Sequence, residues 1–422
     1  MATGEHINTA CDDRHKAICP QCDWVMQLAQ PRPGQLARCP RCNHVVAQSS
    51  AHRISDGMGW ALAALILLLL VFGFDFLGFD TRGIGHTMSF IDAMQVLATH
   101  GYPILATVFI LTTAILPGLF LLAVVYMTGA AQRTRSLPFA IPVARLACSI
   151  RMWLMSDVFI VGILVSLIKI VSLASISFGA SFMLFCLFSL LLLKTMNTLE
   201  WAQLWRAIAG PARMPSGLRT GRTGSAQHAA LCSACGAPYD TRGDYRCRRC
   251  GRRHWLQRVS RLQLTWALLI TALLLYIPAN IYPIMVTRTL TGSEGQTIAG
   301  GVQFLIASGS WPIALIIFLA SIVVPLTKIA ALAWLCLCGH YGLHHDSRAQ
   351  ARLYRVTELI GRWSMIDVFV VTVLAALVQA APLMSVRPGP AAVPFAAVVI
   401  ITMLAAETFD THLLWQRGGR HD

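Results

Sequence analysis

The sequence predicts an all-α polytopic membrane protein. About eight transmembrane helices form two parallel four-helix repeats, each preceded by a small cytosolic four-cysteine module of zinc-ribbon type. Three observations carry this. Of 422 residues, 56 % are hydrophobic and only 13 % charged, far more apolar than a soluble domain of that length requires. Lys and Arg gather in alternate loops. The chain also repeats itself, module first and spans after, at an offset of 208 to 213 residues.

Runs of the length one helix needs to cross hydrocarbon lie near 58–79, 102–128, 153–175, 179–200, 262–284, 302–337, 363–382 and 391–412. The sixth is too long for one straight helix, so GVQFLIASGS is expected to form a turn or short helix on the outer side before the span proper. No charged-then-apolar leader opens the chain, which places the N-terminal segment in the cytosol. With that orientation, 28 of the 34 Lys and Arg fall on the inner side and only Arg82, Arg288 and Arg387 on the outer; Lys169, Lys194 and Lys328 lie within spans. This asymmetry predicts a multi-pass membrane protein with both termini cytosolic. It also accounts for most of the +15 net charge, as topology plus attraction to anionic lipid. Nucleic acid is therefore not an expected partner.

The repeat is read from matched strings. Cys19, Cys22, Cys39 and Cys42 recur as Cys232, Cys235, Cys247 and Cys250. TTAILPGLF (112–120) aligns with ASIVVPLTK (320–328), and RMWLMSDVFIV (151–161) with GRWSMIDVFVV (361–371). NTLEWAQLW (197–205) answers ETFDTHLLW (407–415). An even number of spans per copy makes the repeats parallel, related by an axis along the membrane normal. The expected units are an N-terminal zinc module (1–56), a first membrane repeat (57–205), a cytosolic linker (206–230), a second zinc module (231–258), a second repeat (259–415) and a cytosolic tail (416–422).

Each module carries two CxxC knuckles, CPQC and CPRC in the first, CSAC and CRRC in the second. Two residues between thiolates let one tight turn aim both sulfurs at one ion, and two such turns complete a tetrahedron. Zinc is the natural occupant and iron the runner-up. A thioredoxin-like redox pair would need a βαβ context, and disulfides are disfavoured in the cytosol. A closed four-thiolate site leaves no position for substrate, so its expected role is structural. Cys11, Cys148, Cys186, Cys336 and Cys338 lack ligand spacing and read as packing residues.

One span is chemically unusual. SIVVPLTKIAAL (321–332) carries Pro325 and Lys328, with Ser321 two turns before the lysine on the same face. Pro325 has no N–H, which frees a carbonyl and favours a kink. Lys328 either snorkels to the inner surface or pairs with Asp367 of the following span, which also holds Ser364 on the same face. Thr402 extends the polar set or bonds its own helix; Asn280, between two prolines, suits a cap or turn. The first half keeps Asp157 but has Phe120 in place of the lysine and Leu154 in place of Ser364. No phosphate-binding, zincin or nucleophile-elbow motif is present, so no enzymatic activity is expected.

PANIYPIM (278–285), IFLASIVVPLTK (317–328) and GRWSMIDVFVV (361–371), in that order after the cysteine knuckles, resemble the paraquat-inducible protein A family (PqiA and LetA types), and the PqiA type more closely. The resemblance runs from Cys19 to Trp415. It implies zinc in the modules and a partner MCE-domain protein of the PqiB type that spans the periplasm as a lipid-conducting tunnel. It further implies that the chain loads lipid into that tunnel or receives lipid from it, supporting envelope integrity. The family's membrane polar set falls on Ser321, Lys328, Ser364, Asp367 and Thr402. Two other readings stay open: an anchor for the MCE tunnel, and a cysteine-based redox or stress sensor.

Overall fold

The computed structural model describes residues 16–28, 35–48, 54–81, 84–99, 103–132, 138–170, 175–215, 217–242, 245–254, 258–289, 292–307, 309, 311–342, 347–366, 369–370, 372–373 and 385–415. Among these the chain is mostly helical. Five helical stretches are long and apolar enough to cross a membrane: Pro103–Gln132, Ala140–Leu167, Ala180–Thr198, Ser260–Ile281 and Ala314–Tyr341. Ser55–Val71 and Ala392–Thr408 are apolar but shorter. Most of the seventh expected span, 363–382, lies outside the described residues.

The first half begins with strand pairs β1 (Lys16–Ile18) with β2 (Val25–Gln27) and β3 (Leu36–Arg38) with β4 (Val45–Gln48). Helix α1 (Ile54–Val71) leads into β5 (Asp75–Thr81), β6 (Ile84–Ser89) and the short α2 (Phe90–Thr99). Then come α3 (Pro103–Ile110), a π-helical turn (Leu111–Ile115), α4 (Leu116–Gln132), α5 (Ala140–Ile150), α6 (Ser156–Ile170), β7 (Ser175–Phe178), α7 (Ala180–Thr198) and α8 (Trp201–Ala209).

The second half follows the same plan. After β8 (Ala229–Leu231) and β9 (Pro238–Asp240) come α9 (Arg258–Ile281), β10 (Met285–Thr289), β11 (Gly292–Gln296) and α10 (Ile298–Ala307). Next are α11 (Trp311–Phe318), a second π-helical turn (Leu319–Val323), α12 (Val324–Tyr341), the amphipathic α13 (Ser347–Trp363), β12 (Ser385–Pro388) and α14 (Ala392–Thr408). The expected outer-side short helix in GVQFLIASGS is α10.

The all-α expectation needs a correction. Antiparallel sheets β6-β5-β7 and β11-β10-β12 close the ends of the two halves. The run VFGFDFLGF, counted into the first span, leaves the helix after Val71 and becomes β5. Short apolar runs carry no periodicity that separates a span end from a strand. The corner that follows each sheet admits only glycine. A Cβ on Gly179 would sit 2.0 Å from the Asp75 carbonyl oxygen, and one on Gly389 2.0 Å from that of Pro283.

The halves meet where equivalent residues touch. Phe159 and Phe369, 210 positions apart in sequence, pack edge to face with ring centroids 5.3 Å apart. Self-contact of this kind is what a two-fold between parallel repeats produces. Gly162 allows the approach, since a Cβ there would lie 2.9 Å from Phe369 Cβ. Phe159 also joins Phe76, Phe90, Phe109 and Phe185 in the aromatic core of the first half.

A π-helical turn precedes the matched proline, Pro117 or Pro325, in each half, and such turns are rare and gather at functional places. Since both halves have one, the turn belongs to the fold, whereas Lys328 belongs to one half only. Asn280 donates to Tyr276 O at 2.9 Å, and Tyr276 in turn donates to Ile322 O in the π-turn at 3.4 Å. Helix α9 continues through Pro278 to Ile281, so Asn280 bonds its own helix rather than capping it.

Candidate functional site: two metal centres and a charged cavity

Four knuckles share one geometry. The residue after each CxxC takes the left-handed conformation: Asp23 (φ 61°), Asn43 (φ 59°), Gly236 (φ 65°) and Gly251 (φ 72°). Its N–H donates back to the first cysteine's carbonyl, at 3.0 Å for Asp23 to Cys19 and 2.8 Å for Gly251 to Cys247. Asp, Asn and Gly are the residue types that tolerate this conformation, so the turn is written into the sequence.

The turns gather the sulfurs of Cys19, Cys22, Cys39 and Cys42, and those of Cys232, Cys235, Cys247 and Cys250, so that within each group all lie within 4.8 Å of one another. Cys19–Cys42 and Cys22–Cys39 are 3.5 Å apart; Cys232–Cys250 is 3.5 Å and Cys235–Cys247 3.6 Å. A zinc tetrahedron with bonds near 2.3 Å has sulfur–sulfur edges of about 3.8 Å. The donor set fits that ion. All eight sulfurs are buried, and crowding resists ionising them together. Hydrogen bonding to Cys19 and Cys42, then burial, pushes the Cys22 thiol up, while hydrogen bonds from Cys19 and Cys22 hold Cys42 down to about 2. A divalent cation resolves that conflict. The sequence reading missed His254, whose Nε2 lies 3.3 Å from Cys232 Sγ and whose ring stacks on Tyr239.

The modules dock crosswise. Arg41, in the second knuckle of the first module, lies over Trp415 of the second repeat at 4.9 Å. Its counterpart Arg249 lies over Trp205 of the first repeat at 6.0 Å. Arg348 Nε donates to Arg41 O at 3.0 Å, and Arg249 Nη2 to Gly210 O at 2.8 Å. The segment 206–230, expected to be a plain linker, is bound to the first module: Val25 N donates to Arg222 O at 2.9 Å, Lys16 Nζ to Leu218 O at 2.8 Å, and Ser225 N to Asp23 Oδ2 at 2.7 Å.

The expected membrane polar set is placed as follows. Ser321 is buried in the second π-turn, Lys328 is buried in α12, and Ser364 is buried just past α13. Thr402 is buried in α14 and donates to Val399 O at 2.9 Å, which satisfies it within its own helix. Asp367 lies outside the described residues. Lys328 is 2 % exposed, and Nζ has no hydrogen-bond partner among the described residues. Its end lies against Gly361 of α13, where a Cβ would fall 2.9 Å from Nζ.

Lys328 and Gly361 line a cavity of about 1470 Å³ at the module end of the bundle, bounded by both repeats and both modules. Its first-repeat wall carries Arg151, Arg206, Trp201 and Trp205, with Arg249 of the second module beside them; its second-repeat wall carries Glu358 and Glu407. Arg151 lies over Trp201 at 5.7 Å. These wall residues escaped the sequence reading, although the tryptophans, four apart in one short helix, share a face.

Apolar helices, a doubled plan and two four-cysteine clusters able to hold metal define a multi-pass membrane protein with paired metal-type modules. The profile of the family "Paraquat-inducible protein A" matches residues 54–209 and again 262–418, once in each half. The chain belongs to that family. It is 38 % identical to intermembrane transport protein PqiA of Escherichia coli K12 over 96 % of this chain and 98 % of that one. Lipophilic envelope-spanning tunnel protein A of the same organism is 31 % identical over 94 % and 90 %. A probable intermembrane transport protein of Haemophilus influenzae is 28 % identical over 94 % and 95 %. No solved structure matches the chain. Two of these relatives are named as intermembrane transport proteins and one as a tunnel protein.

Proposed function

We propose that this chain is the inner-membrane component of an MCE-type intermembrane lipid transport system. It loads lipid into, or receives it from, the base of a periplasm-spanning tunnel formed by an MCE-domain protein of the PqiB type. Both termini and both zinc modules face the cytosol, and the sheet ends of the two halves face the periplasm and the partner. The zinc modules are structural, since four thiolates leave no open coordination position.

The observation that carries this reading is Lys328, an ammonium buried in a span and lining a large cavity. A charge at that depth is costly and marks a pathway or a bound partner group. The other half has Phe120 there, so the fold does not need it. Asp367 of the following span is the proposed counterion, with Ser321, Ser364 and Thr402 around the pair. Substituting Lys328→Ala or Asp367→Asn should abolish lipid movement and the growth advantage under detergent stress, while the protein still inserts and co-purifies with its MCE partner. Full function in both variants would leave only the anchoring role.

A further inference from the structure

The cavity at the module end has walls of opposite charge. Arg151 and Arg206 stand on the first repeat, with Lys16, Arg213 and Arg249 of the modules and linker also in the lining; both acids, Glu358 and Glu407, stand on the second repeat, with Lys328. The fold does not dictate these charges. By the repeat alignment Arg151 corresponds to Gly361, Glu358 to Cys148, Glu407 to Asn197 and Lys328 to Phe120. Each wall carries what its counterpart lacks.

The two carboxylates are close enough to repel. Burial in the wall, then the charge of Glu407, holds Glu358 above the ordinary carboxylate range. Neither has a hydrogen bond or ion pair among the described residues, although the charge of Arg252 in the second module partly offsets the effect of burial on Glu407. Two like charges left together in a partly desolvated wall want a cation. Arginine facing the same space suits a phosphate, which it grips through a planar fork. Between the walls lie apolar residues, Met152, Met196 and Met403 among them. The volume exceeds the several hundred Å³ of an ordinary small-molecule pocket.

We propose that this cavity binds the headgroup of an amine-bearing phospholipid, its phosphate on Arg151 and Arg206 and its ammonium on Glu358 and Glu407. The methionines take the first part of the acyl chains, a use for which their flexible side chains are suited. Lys328 also lines the cavity, where it meets the lipid's ester and phosphate oxygens rather than its amine. A glycerol headgroup satisfies the arginines through the same phosphate but offers the carboxylates only neutral hydroxyls, leaving their charge without a cation. The proposal rests on the lipid-transport reading and assigns it a headgroup class and a cytosolic-leaflet opening.

The test uses the full chain, purified and stripped of lipid in detergent, with phosphatidylethanolamine, phosphatidylcholine and phosphatidylglycerol offered in equal amounts and retention read by native mass spectrometry. The ethanolamine lipid should be retained about tenfold over the glycerol lipid, the scale of one charge-assisted hydrogen bond. The choline lipid should fall behind too, because its quaternary nitrogen has no N–H to donate. Glu358→Gln with Glu407→Gln should erase that preference, and Arg151→Ala with Arg206→Ala should lower retention of all three lipids. Unchanged metal content and elution volume would show that the variants are folded, and Arg151→Lys should keep the ethanolamine preference. Excess glycerophosphoethanolamine should compete.

Equal retention of the three lipids, or a preference that survives the double Gln variant, would overturn the site. So would inorganic phosphate displacing lipid as well as glycerophosphoethanolamine does. The two readings fail separately. Headgroup-blind transport in reconstituted vesicles sinks the site alone, whereas selective binding with no transport sinks the transport reading and leaves the site standing.

Discussion

Lys328 and Gly361 occupy one another's space: the ammonium lies where a Cβ on Gly361 would fall 2.9 Å away. In the first half the corresponding residues are Phe120 and Arg151. The cation has changed sides. There it is on the helix end beyond α5, while the span position holds a fully buried phenylalanine 6.3 Å from Trp201.

That exchange gives a prediction about Gly361. Its added methyl meets the far end of a flexible side chain rather than backbone, so Gly361→Ala should cost the fold no more than about 1 kcal/mol. It should nevertheless displace the ammonium. We expect a thermal melt in detergent close to the parent's and a clear loss of lipid transport. Parent-level transport would mean that the position of Lys328 is not critical.

The modules give a second prediction. Purified protein should hold two metal ions per chain, zinc when grown in ordinary medium, measured by elemental analysis. Cys22→Ser should remove one and leave the other, because the clusters are separate. A strong chelator should unfold the modules, since small domains of this kind derive their folding free energy from the ion. A chain that is metal-free as purified, with reversibly oxidised thiols, would instead revive the sensor reading.

Crosswise docking is tested by crosslinking. Cysteines placed at Arg41 and Trp415 should be joined by a thiol crosslinker of about 10 Å span, because the contact is between side-chain ends rather than Cα atoms; cysteines at Arg41 and Trp205 should not. Both tryptophans are buried in hydrophobic clusters, so truncating either should loosen its module and cost the fold about 3 kcal/mol or more. Limited proteolysis should then cut nearer the first module in Trp415→Ala and nearer the second in Trp205→Ala.

Much of this was legible in the sequence, and the misses have physical reasons. The knuckles are local: CxxC plus a residue tolerant of positive φ determines the turn wherever it sits. The duplication is equally plain, and so is Lys328, because a charge among apolar residues stands out in one dimension. The sheets did not show, since VFGFDFLGF is apolar whether it ends a helix or forms a strand. Crosswise docking did not show either. Arg41 and Arg249 align, as do Trp205 and Trp415, yet alignment of two copies cannot say which arginine meets which tryptophan. The cavity walls join residues from segments far apart in sequence, and only packing brings Arg151 and Glu407 to one cavity.

The last prediction concerns pH and uses the repeat as its own control. Helix α2 starts with a reciprocal cap. Asp92 N donates to Ser89 Oγ at 3.2 Å, and Ser89 N donates to Asp92 Oδ2 at 3.0 Å, an arrangement in which each residue satisfies the other's free N–H. The Ser89 N–H, with its hydroxyl, holds the Asp92 carboxyl below the ordinary carboxylate range. A depressed folded value means that the stabilisation is present above the unfolded value of about 3.9 and is lost as pH falls through the folded one. In the second half Thr297 keeps the cap, its hydroxyl accepting from Gly300 N at 3.0 Å, but Gly300 stands where Asp92 does and cannot titrate. Amide protection at the start of α2, corrected for intrinsic exchange, should therefore fall on acidification below about pH 4, while that at the start of α10 should not. The difference should be under about 1 kcal/mol, because the cap is solvent-exposed. Asp92→Asn should remove the pH dependence; equal acid sensitivity of α2 and α10 would show that something other than Asp92 governs it.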